Sequence, residues 1–83
     1  MNILKINNWA DNPPQNYTGV VEYSMNIKEW YLNGELHRVD GPAIDYPLAG
    51  YQRWFLNGIE YSQEEWFEQL SEEDKLNAIW NLR

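Results

Sequence analysis

The chain has 83 residues, enough for one small domain, with 16% aromatic residues, no cysteine and a formal charge of −7 from thirteen acidic and six basic side chains. Without cysteine, disulfides and thiolate metal sites are excluded, so packing alone must hold the fold, and rings that bury on the order of 150–250 Å² each are its main resource. The acid excess argues against direct nucleic-acid binding or adhesion to an anionic membrane and favours a basic protein partner.

Taken in chain order, Met1 to Ile6 is too short and polar for a signal peptide, and no run is long and apolar enough to span a bilayer. A cytoplasmic location is the expectation. A short first strand is predicted at Ile3–Ile6, followed by a loop at Asn7–Asn16, where Asp11-Asn12-Pro13-Pro14 can neither form helix nor join a sheet centre. Tyr17 to Tyr23 is β-prone and resembles Pro42 to Tyr46.

The segment Glu29-Trp30-Tyr31-Leu32-Asn33-Gly34 returns as Arg53-Trp54-Phe55-Leu56-Asn57-Gly58, twenty-four residues further on. Each copy is an aromatic strand running into Asn-Gly, the dipeptide suited to a type I′ hairpin turn, which requires positive φ at both central residues. Two units, roughly 17–34 and 41–58, are too few for a free-standing solenoid, so another element must cover the sheet. Alternation puts Trp30, Leu32, Trp54 and Leu56 on one face and Tyr31 and Phe55, with Glu29 and Arg53, on the other.

The cover is expected from residues 62–83. Ser62-Gln63-Glu64-Glu65 forms a capping box, and Trp66, Phe67 and Leu70 give the helix it opens an apolar stripe. Ser71-Glu72-Glu73-Asp74 repeats the start signal with acid in the first turn, and Leu76, Ile79 and Trp80 form the second stripe. The fold class is therefore α+β, with a small antiparallel β-meander of repeated hairpins followed by two short C-terminal helices. The chain reads as one domain over 1–83, divided into a hairpin-repeat region at 1–61 and an acidic helical region at 62–83. Trp30 and Trp54 are expected to be buried together on the face the helices cover, against Trp66, Leu70, Leu76 or Trp80, leaving Tyr31 and Phe55 on the less covered face.

Trp30 to Ile44 resembles a repeat of the form Trp-Tyr-x-Asn-Gly-x-x-His-Arg-x-Asp-Gly-Pro-Ala, found in small bacteriophage proteins and, in longer arrays, in giant viruses. The second copy keeps only Trp54-Phe55-Leu56-Asn57-Gly58 and then departs into the acidic helix, as short phage members do. MORN-type repeats are similar in their hairpin logic, though less close. The resemblance implies a viral origin and a β-hairpin repeat, and it implies no activity.

Few residues suggest chemistry. His37 is the single histidine, and a triad drawn from Ser24 or Ser62 with His37 and Asp40 has no nucleophile-elbow motif behind it. His37, Arg38 and Asp40 are better read as supports of the turn into Gly41-Pro42. No spacing supports a metal site or a cofactor. Glu64, Glu65 and Glu68 with Glu72, Glu73 and Asp74 invite a glycosidase or metal reading, but helix caps and outer faces favour acid on electrostatic grounds alone.

Residues 62–83 hold six acidic residues against Lys75 and Arg83, more than half the net charge in about a quarter of the chain. The sequence thus points to a non-enzymatic binding protein, with Tyr31, Phe55, Glu64, Glu68, Glu72 and Glu73 as candidate contacts. An inhibitor of a host nucleic-acid-handling protein, such as an anti-CRISPR or other anti-defence protein, is the expected form. A structural module that self-associates through its sheet into a homodimer is the alternative, and a hydrolase is third.

Overall fold

Asn33 and Gly34 have φ of 51° and 82°, and Asn57 and Gly58 have φ of 52° and 80°, so both Asn-Gly pairs turn their hairpins with the left-handed geometry that the type I′ turn demands. The structure, a computed structural model, describes residues 3–6 and 14–81, with the side chain of Asn81 left aside. Residues 7–13 of the expected loop lie outside the described residues.

The strands are β1 (Ile3–Lys5), β2 (Gly19–Glu22), β3 (Lys28–Leu32), β4 (Glu35–Leu36), β5 (Ile44–Tyr46), β6 (Tyr51–Leu56) and β7 (Ile59–Tyr61), and the helices are α1 (Gln63–Gln69) and α2 (Glu72–Asn81). The fold is a small α+β structure whose sheet runs β1-β2-β3-β5-β6-β7, with β4 also on β3. β1 is parallel to β2, and every other pairing is antiparallel. The first strand thus departs from the all-antiparallel meander expected of the sequence. A parallel neighbour needs a long connection, and residues 6–18 supply it.

The register shows the repeat. Val21 pairs with Glu29 and Ile44 with Arg53, so β2–β3 and β5–β6 are equivalent hairpin pairs. The buried pair Val20-Val21 of the first unit corresponds to the buried pair Ala43-Ile44 of the second. Each Asn-Gly turn is then held from behind in the same way. The Gly34 amide donates to the Tyr17 carbonyl and the Asn33 amide to Thr18 Oγ1, both at 2.9 Å. The Gly58 amide donates to the Leu36 carbonyl and the Asn57 amide to His37 Nδ1, again at 2.9 Å. Tyr17-Thr18 and Leu36-His37 are therefore counterparts. Residues 38–41 are additional to the second unit.

Cross-strand partners share a face. One face carries Val20, Trp30, Trp54 and Leu56, and α1 and α2 pack there: Trp54, Leu56, Trp66, Leu70 and Ala78 form one buried cluster. Trp66 is completely buried, and its ring lies 4.6 Å from that of Trp54. α1 starts on the expected capping box, the Glu65 amide donating to Ser62 Oγ at 3.2 Å and the Ser62 amide to Glu65 Oε1 at 3.1 Å. The amide of Asp74 donates to Ser71 Oγ at the start of α2.

Two expectations are corrected. Leu76, Ile79 and Trp80 do not face the core but are 63%, 50% and 70% exposed, and α2 reaches the core through Ala78. The Trp66 indole already fills the space above Trp54, so only a methyl-sized side chain lets α2 approach. Trp30 is half-buried rather than buried, and Arg38 covers it instead of a helix.

Candidate functional site

The additional residues 38–41 form a corner built around one guanidinium. Arg38 Cζ stands 3.8 Å from the centre of the Trp30 ring. Its Nε donates to Asp40 Oδ1 at 2.7 Å and its NH1 to the Pro42 carbonyl at 3.1 Å. A Cβ on Gly41 would lie 2.7 Å from Arg38 Cζ, so the glycine makes room for the stacked group. Asp40 neutralises the charge that the corner draws away from water. The His-Arg-x-Asp-Gly-Pro-Ala run is thus structural in each of its parts. His37 carries the next hairpin turn, Arg38 covers Trp30, Asp40 fixes Arg38, and Ala43 enters the core with no exposed surface.

Three of the groups considered for a triad are engaged elsewhere. Ser62 Oγ caps α1, Asp40 holds Arg38, and His37 Nδ1 accepts from Asn57. Burial lowers the pKa of His37 below its ordinary value, against the opposing pull of Asp74 and Glu35. Among the described residues, no group of three His, Asp or Glu side chains converges to hold a metal ion, and no helix is long and apolar enough to cross a membrane.

The residues singled out as contacts separate into two places. Tyr31 lies on the face without helices, half-buried, with its hydroxyl donating to Glu29 Oε1 at 2.8 Å. Tyr23 donates to the same oxygen at 2.9 Å. Burial, reinforced by these bonds to a carboxylate, raises both phenol pKa values, that of Tyr23 to about 12. Phe55 shares this face but is not the exposed ring that alternation suggests. It is 7% exposed, clustered with Ala43 and Ile44 under Leu36 and Tyr46. Arg53 also lies over it, its Cζ 5.2 Å from the ring centre, while paired with Glu60 at 2.6 Å. Phe55 is therefore a second small core and is withdrawn as a contact residue.

Glu64, Glu68, Glu72 and Glu73 are all exposed, on the helices that cover the opposite face. Tyr31 and the acidic residues thus do not form one surface. Among the described residues, Lys75 is the cation of these helices, 4.0 Å from Glu72 and 5.7 Å from the Phe67 ring.

Sequence reasoning missed a groove of about 540 Å³ between the sheet and α2, whose lining includes Trp30, Tyr31, Leu32, His37, Arg38, Asp74 and Trp80. The Trp30-Tyr31 strand and the His37-Arg38 pair belong to the repeat, but nothing in the spacing of α2 shows that Trp80 stands beside them rather than in the core. A scan against models of known protein families finds no match, and no curated protein or solved structure is matched by the chain.

Proposed function

We propose that this is a non-enzymatic, acidic binding protein of phage origin that acts in the bacterial cytoplasm by occupying the basic surface of a nucleic-acid-handling protein, as an anti-CRISPR or other anti-defence inhibitor. One observation carries the reading. Glu64, Glu68, Glu72 and Glu73 are exposed on two consecutive helices, and the second of these helices also exposes the apolar side chains of Leu76 and Ile79. Charges at a rim steer a partner of opposite sign, and desolvated apolar groups at the centre retain it. An acidic helical surface with an apolar ridge presents both. The partner is a protein and not nucleic acid or membrane, since the charge that attracts the first repels the others.

Immobilised protein exposed to bacterial lysate at low and high salt tests this. The expected result is capture of a nucleic-acid-handling protein that high salt releases and whose nucleic-acid binding the captured complex lacks. Retention of further copies of the chain alone would overturn it. That result would favour the second reading, a self-associating module, which the exposed Ile59 on the edge strand β7 supports.

A further inference from the structure

We propose that the groove between the sheet and α2 receives a cationic side chain, arginine in preference to lysine, from a basic protein segment, with Asp74 as its counter-ion and Trp80 as the ring it stacks upon. This rests on the reading of a basic partner and assigns the place where that partner is gripped.

The charge of the groove decides the ligand. Arg38, the cation already present, is tied to Asp40 at 2.7 Å and stacked on Trp30 at 3.8 Å, so it is neutralised and held as part of the wall. Asp74 has no ion-pair partner among the described residues and is only half-exposed. It sits in the first turn of α2 on the groove side, whereas Glu72 and Glu73 point to solvent. An anion entering here would meet Asp74 and Asp40 inside a chain of charge −7. A cation meets a carboxylate that has no ion pair among the described residues, beside an exposed indole, and these are the two groups that bind a guanidinium best: one by forked hydrogen bonds, the other by stacking. Trp30 and Leu32 give the stem of such a side chain an apolar floor. Lysine has the charge without the planar group and gains less from the ring.

The probe is a blocked Leu-Arg-Leu tripeptide, titrated against the full chain and followed by amide and indole nitrogen–proton NMR spectra. Its counterpart with citrulline in place of arginine has the same shape without the charge. The indole signals of Trp30 and Trp80 and the amide of Asp74 should shift with the arginine peptide and respond far less to the citrulline one. Asp74→Asn, which keeps the helix start, should weaken binding about tenfold, the loss of one charge-assisted hydrogen bond. Trp80→Ala, at an exposed position, should remove it without unfolding the chain.

Equal binding of the two peptides, absence of shifts in the groove, or groove shifts produced by inorganic phosphate instead would each overturn the proposal. Shifts confined to Glu64, Glu68, Glu72 and Glu73 would overturn the groove and leave the acidic-surface reading standing. Groove binding of the peptide together with an empty lysate capture would do the reverse.

Discussion

The indole of Trp66 in α1 donates from Nε1 to the main-chain carbonyl of Arg38 at 2.8 Å, across twenty-eight residues of chain. This bond joins the helical region to the corner that carries the repeat motif. On one side of it the Arg38 guanidinium covers Trp30, and on the other the Trp66 ring covers Trp54. The two repeated tryptophans are thus capped by different groups, a cation in the first unit and an aromatic helix residue in the second. Trp66 closes the second unit while anchoring its own helix.

Replacing Trp66 by Phe should therefore keep most of the ring packing and leave the buried end of the Arg38 carbonyl unpaired. The expected loss is about 1–3 kcal/mol, read from urea unfolding. Trp54→Ala, which empties the centre of the main core, should cost about 3–5 kcal/mol and bring so small a domain close to unfolding. A smaller loss for Trp54→Ala than for Trp66→Phe would contradict the assignment of the core.

Gly41→Ala should displace the Arg38 guanidinium from Trp30, because the new methyl would sit 2.7 Å from Cζ. The clash is with the far end of a flexible side chain, so the cost is that of the stacked contact, about 1 kcal/mol. In an Arg38→Ala background the same glycine substitution should cost almost nothing. Simple additivity in this double-mutant cycle would show that Gly41 serves another purpose.

Hairpin turns and caps were legible in the sequence because each depends on neighbouring residues alone: Asn33-Gly34, Asn57-Gly58 and the Ser62–Glu65 box all form as their chemistry requires. The face assignment was also legible, since period-two alternation is set by the backbone. Depth was not. Phe55 is buried because Leu36 and Tyr46 close over it from other strands, which alternation along one strand cannot reveal. The orientation of α2 was misjudged for a related reason. Leu76, Ile79 and Trp80 have the spacing of a core stripe, but Trp66 already occupies the space and admits only Ala78. The groove followed from that same reversal. It joins residues from both regions, and its position is a property of how the helices dock.

His37 makes stability depend on pH in a defined direction. Its folded pKa lies below the ordinary value, so the unfolded chain binds the proton first as pH falls. Its contribution is fully present above the unfolded pKa of about 6.5 and is lost as pH falls from there towards the folded value. Protonation at Nδ1 also removes the acceptor for the Asn57 amide. Thermal unfolding should shift downward between about pH 7 and pH 5.5, before most carboxylates titrate, and His37→Gln should flatten that part of the profile. A wild-type profile that is flat or rises in this range would contradict the environment described for His37.

The exposed ridge and the acidic side chains should affect binding in different ways. Leu76→Asp and Ile79→Asp remove apolar contact from positions 63% and 50% exposed, so the fold should survive while the complex dissociates faster at every salt concentration. Tyr31→Ala should weaken the Glu29 cluster on the opposite face and leave dissociation unchanged. Surface kinetics against the captured partner distinguish these outcomes, and a faster dissociation for Tyr31→Ala in a folded variant would move the interface to the other side of the sheet.

The most direct test of the central claim is association of the Glu68→Lys, Glu72→Lys double variant with the captured bacterial protein, measured across a salt series. Two reversals cancel the net negative charge of residues 62–83, which hold six acidic against two basic residues, without touching the core. The account predicts association slowed by about an order of magnitude or more at low salt, with the difference from wild type shrinking as salt screens the field. Association that is equal to wild type at low salt, or that differs by the same factor at every salt concentration, would contradict the claim that the acidic helices bring this protein to its partner.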